Sequence, residues 1–74
     1  MYRKYKNGKN FFKILNPEEF EELQLVGGKV IHKKNRAAQY PEMLFIQDLL
    51  INYQTMADEA SPEEFDNLKK LVKP

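Results

Sequence analysis

The chain has no cysteine, no tryptophan, one histidine and three glycines. Lacking cysteine, it can build no disulfide framework, no thiolate metal site and no thiol nucleophile. Spaced glycines that would cradle a phosphate are missing too, because Gly27 and Gly28 are adjacent and no Lys-Ser/Thr follows them. The longest nearly apolar run, Met43 to Ile51, is broken by Gln47 and Asp48. It falls far short of the roughly 20 residues that span a bilayer. Met1–Lys6 holds two cations before Lys6 and no apolar stretch like that of a secretory signal. Small secreted domains usually lean on disulfides. The expectation is therefore a soluble, cytoplasmic protein with no membrane segment.

The 74 residues suffice for one domain, taken as residues 1–74. Such a domain buries a modest share of its surface and cannot enclose a deep active site without spending its core. An apolar fraction of 42%, with five Phe and four Tyr, argues against disorder. The net charge of +1 hides a block pattern. Residues 1–13 carry Arg3, Lys4, Lys6, Lys9 and Lys13 and no acid. Residues 14–28 carry Glu18, Glu19, Glu21 and Glu22 and no base. Lys29, Lys33, Lys34 and Arg36 then cluster around His32, acids dominate 37–67, and Lys69, Lys70 and Lys73 close the chain. Distribution rather than total charge is the informative quantity.

Asn7-Gly8 between Tyr2–Lys6 and Lys9–Leu15 reads as a hairpin with a type I′ turn, in the register that sets Arg3 opposite Phe12. The Phe12/Ile14 face is the expected core side. Asn16-Pro17-Glu18-Glu19 has the composition of a helix start, with a capping box and Leu15 and Phe20 placed as a staple. Phe20, Leu23 and Val26 would form its apolar stripe and Gly27-Gly28 its stop. A second hairpin, Gln24–Val26 with Lys29–His32 around Gly27-Gly28, ranks below this because it leaves the capped helix very short. Lys29–Lys34 reads as a strand. Pro41 opens the main helix, expected to run to about Ala57, with Met43, Phe45, Ile46, Leu49, Leu50, Tyr53, Met56 and Ala57 on one broad apolar arc. Ser61-Pro62-Glu63-Glu64-Phe65 repeats the cap chemistry and opens a last helix that buries Phe65, Leu68, Leu71 and Val72. Lys69, Lys70 and Lys73 suit the negative end of that helix. The likeness of the two Pro-Glu-Glu-Phe segments reflects shared helix-start chemistry rather than a repeat. The fold class is α+β, in the order β-β-α-β-α-α, with a short, mainly antiparallel sheet packed against helices.

The chemistry on offer is thin. His32 would need an orienting carboxylate or a nucleophile within reach to act as an acid–base group. The glutamates lack the alternating ligands and central glycine of a calcium loop. No enzyme, metal or cofactor is expected. Two binding readings remain. Leu44 and Ile51 fall outside the apolar arc, one helical repeat apart, beside Gln47 and Asp48. Either Asn35–Tyr40 or the last helix folds over them, or they point to a protein partner or to self-association. The alternative is nucleic-acid binding by a basic surface of Tyr2, Arg3, Lys4, Tyr5, Lys6, Lys9, Lys33, Lys34 and Arg36. There the cations would neutralise phosphates and the tyrosines would stack on bases. The plainer account of those lysines is that they guard a sheet edge against pairing.

Overall fold

A computed structural model describes residues 1–51 and 53–72. Four strands form an antiparallel meander: β1 (Tyr2–Tyr5), β2 (Asn10–Asn16), β3 (Glu19–Val26) and β4 (Lys29–Arg36). Helix α1 (Tyr40–Leu50) follows, then a 3-10 turn (Tyr53–Thr55), the short strand β5 (Ala57–Glu59) and helix α2 (Pro62–Lys69). The sheet runs β4-β3-β2-β1-β5. The α+β class holds, while the expected element order does not: four strands come first, then a helix, a strand and a helix.

The segment from Asn16 to Val26 carries the main correction, since the expected helix there is a strand. The chemistry that would cap a helix closes a hairpin instead. The Asn16 Oδ1 accepts the Glu18 backbone N–H at 2.8 Å, an Asx turn across Pro17. The i, i+3 spacing of Phe20 and Leu23 arises because β3 is buried on both faces, which masks any simple alternation. Phe20 packs with Phe12, Ile14, Ile46 and Leu49 on one face, and Leu23 packs with Phe11 and Phe65 on the other. Gly27-Gly28 is the hairpin turn that sequence ranked second, with φ of 55° and 80°. Two consecutive positive φ values define the type I′ turn. That turn type had been expected at Asn7-Gly8, where only Gly8 has positive φ, at 73°. There the Gly8 N–H donates to the Tyr5 carbonyl, and the Asn7 side chain accepts from the Lys9 N–H. The expected Arg3–Phe12 register is present. Leu15, expected in a staple, is an exposed residue at a register shift between Ile14 and Asn16.

Helix α1 also ends earlier than its apolar arc implies. Ala57 is buried, yet in β5, where it pairs with Tyr5. Unwinding after Leu50 frees Ala57–Glu59 to satisfy the outer edge of β1, which would otherwise stay unpaired. Helix α2 starts as expected, with the full capping box: the Glu64 N–H donates to Ser61 Oγ and the Ser61 N–H to Glu64 Oε1. Its Lys69 lies in the last turn; Lys73, expected at the same end, lies outside the described residues. The result is three layers, with α1 on one face of the sheet and α2 on the other. No helix among the described residues is long and apolar enough to cross a membrane.

Candidate interaction surfaces

Helix α1 turns Ile46 and Leu49 into the core, with Phe45 and Leu50 half-buried beside them. Its opposite side mixes exposed apolar residues with Glu42, Gln47 and Asp48. Leu44 is 40% exposed, Ile51 60% and Tyr40 72%, and Met43, expected in the core arc, is exposed as well. Tyr40, Leu44, Gln47 and Ile51 are spaced 4, 3 and 4 apart and so share one face. Gln47 and Asp48 are exposed between Leu44 and Ile51. The four residues singled out from sequence thus form one contiguous surface.

The basic set is dispersed. Arg3 is 3% exposed. Its Nε donates to the Leu49 carbonyl and its Nη1 to the Tyr2 carbonyl, both at 2.9 Å. Its guanidinium stacks 3.8 Å from the Tyr53 ring centre, and the Tyr53 hydroxyl donates to Glu59. That bond to Glu59, with some burial, holds the Tyr53 phenol above its ordinary value. Tyr2 packs on Phe65 and Tyr5 on Phe12, with ring centres 5.6 and 4.9 Å apart. Lys4 pairs with Glu64 at 2.9 Å and Lys6 with Asp58 at 3.3 Å. Lys9 is exposed at the tip of the first hairpin. Lys33, Lys34 and Arg36 are exposed on β4 and make no ion pair among the described residues. Strand β4 is not the neighbour of the β1–β2 hairpin, because glutamate-rich β3 lies between them. With strands about 4.8 Å apart, β4 sits roughly 14 Å from β1.

Sequence reasoning missed a polar cluster around one buried carboxylate. Glu21, buried on the α2 face, accepts from Lys69 at 3.0 Å, and its same Oε1 lies 2.8 Å from His32 Nε2. Burial works to raise its carboxyl, but the hydrogen bonds and charges of Lys69 and His32 outweigh burial and hold it below the ordinary value. His32 therefore has the carboxylate that sequence did not provide, shared with a lysine from α2. The cluster ties β4 and α2 to β3. No group of three or more His, Asp or Glu side chains positioned to hold a metal occurs among the described residues.

Beside β4 runs an open cleft of about 600 Å³, lined by Val30, Ile31, His32, Leu71 and Val72 among others. Its lining is mainly apolar, and Leu71 is exposed in it. No family model matches the chain, and no curated protein or solved structure matches it either.

Proposed function

We propose that the protein is a non-catalytic, cytoplasmic interaction module that works through protein contacts made by the outer face of α1, with a second copy of the chain as first partner. One observation carries this reading: α1 has a second apolar strip, interrupted by Gln47 and Asp48, that faces solvent. Exposed apolar patches rimmed by polar residues commonly mark interaction sites. Tyr40, Met43, Leu44 and Ile51 form the uncovered strip. A two-fold antiparallel pairing centred between Gln47 and Asp48 lays Leu44 of one copy on Ile51 of the other. It also sets each Gln47 amide against a partner Asp48 carboxylate, so no like charges meet head-on. A strip of one short helix is smaller than the roughly 800 Å² per partner of a standard interface. The association is accordingly weak and concentration-dependent.

Sedimentation equilibrium over a wide concentration range tests this. The wild type is expected to show a rising average mass. Leu44→Asp with Ile51→Asp is expected to remain folded and monomeric, because both side chains are exposed. An equal mass rise in the double variant sinks the assignment.

Nucleic-acid binding stands second. Its support is Lys9, Lys33, Lys34 and Arg36, exposed and without ion pairs among the described residues. Base stacking adds nothing to it, since Tyr2 and Tyr5 are packed on phenylalanines.

A further inference from the structure

The sheet has two edges of unequal length. On one side β5 offers three residues, and on the other β4 offers eight, with no proline. The hydrogen-bonding direction of each β4 residue follows from the ladder. The Leu25 N–H donates to the Lys9 carbonyl just before β2, and the Ala37 N–H donates to the Glu18 carbonyl. In antiparallel pairs the bonded direction alternates along a strand. On β3, then, Phe20, Glu22, Gln24 and Val26 bond toward β4. Their partners Asn35, Lys33, Ile31 and Lys29 point inward. Val30, His32, Lys34 and Arg36 are left with backbone N–H and C=O groups directed out of the sheet.

We infer that this edge receives one more strand: an antiparallel, extended peptide segment with an acidic N-terminal half and an apolar C-terminal half. Directly paired residues share a face. The residues opposite Val30 and His32 therefore enter the apolar cleft beside Leu71 and Val72. The residue opposite Ile31 meets an exposed isoleucine on the other face. Residues opposite Lys33, Lys34 and Arg36 meet cations that lack ion pairs among the described residues. In antiparallel order this specifies Glu-Thr-Glu-Glu-Val-Ile-Val. Main-chain bonds supply affinity and the alternate side chains supply selectivity, as in other strand additions. Charge disfavours the simplest competitor. Pairing β4 with a second β4 sets two strands side by side that each carry Lys29, Lys33, Lys34 and Arg36 and no acid to answer them. The site is separate from the outer face of α1, and each stands or falls alone.

The test is a titration of the labelled protein with the synthetic peptide Glu-Thr-Glu-Glu-Val-Ile-Val, its termini blocked, read by amide shifts and amide hydrogen exchange. Binding is expected to slow exchange at Val30, His32, Lys34 and Arg36, and to leave the already protected Ile31 and Lys33 little changed. Lys33→Glu with Lys34→Glu is expected to weaken binding at least tenfold, and to favour a peptide with lysine in place of glutamate. The Leu44/Ile51 double variant is expected to bind the peptide as well as the wild type. No slowing at the four outward amides at low salt overturns the proposal. So does equal or tighter binding of single-stranded DNA with uniform shifts and no alternation, which would make β4 a general polyanion surface.

Discussion

Arg3 is the side chain whose replacement says most about this fold. It lies within the core-side layer, without a carboxylate in ion-pair range among the described residues. Its Nε satisfies Leu49, one of the last carbonyls of α1 and an orphan of the helix ladder. Arg3→Met keeps length and apolar volume but removes the donors and the charge. A hydrogen bond from a charged donor contributes about 1.5–3 kcal/mol. The stack on Tyr53 adds about 0.5–2 kcal/mol. Against these stands the relief of no longer desolvating a cation, which offsets part of the loss. The net expectation is a destabilisation of about 2–3 kcal/mol, or a melting temperature lower by about 10–20 °C for a domain this size. Arg3→Lys retains charge but loses the planar stack and the Nε direction, so it should fall between the two. Urea unfolding followed by circular dichroism gives the free energies. A loss below about 0.5 kcal/mol in Arg3→Met would place it within the range of ordinary surface substitutions and refute the claim that Arg3 pins the end of α1.

Two further perturbations probe the sheet. Glu21 has a carboxyl lowered in the fold, so it contributes stability that is present above the ordinary value of 4.5 and lost as pH falls through the lowered folded value. Glu21→Gln should therefore be less stable than the wild type at neutral pH, with the gap closing in acid; parallel pH profiles would contradict the cluster. Gly27→Ala forces a side chain into a left-handed turn and should cost about 1–2 kcal/mol. Gly27→Asn, which tolerates that conformation, should cost far less in the same unfolding assay.

How much of this was legible depended on whether local chemistry had one meaning. Ser61-Pro62-Glu63-Glu64 opened a helix because the stripe after it, Phe65 and Leu68, faces a single layer. Asn16-Pro17-Glu18-Glu19 carries the same chemistry, and it closed a hairpin because Phe20 and Leu23 are covered from opposite sides. Nothing within a few residues of Asn16 distinguishes these outcomes. The early end of α1 was hidden for a related reason: Ala57 suits an apolar arc and a sheet edge equally well. The place of Leu44 and Ile51 outside the core arc was readable, because it follows from angle on a helix that does form; their exposure was not, because a later segment could have covered them. The dispersal of the basic surface was not. Lys4 meets Glu64 from 60 residues away and Arg3 meets Leu49 from 46 away. Pairings at that separation belong to the topology and leave no mark on the sequence nearby.

Strand β5 has a kinetic consequence out of proportion to its three residues. The hairpins joining β2 to β3 and β3 to β4 close over short turns, so they can form early. Pairing Arg3 with Glu59 instead closes nearly the whole chain. Loop entropy makes such a contact late, because its cost grows with the enclosed length. Strand β5 also joins the helix on one face to the helix on the other. Release of β5 therefore loosens the connection that both helices share. Native-state hydrogen exchange should accordingly give the amides of Ala57–Glu59, α1 and α2 one shared opening free energy. Separate values for the two helices would mean that the faces open independently.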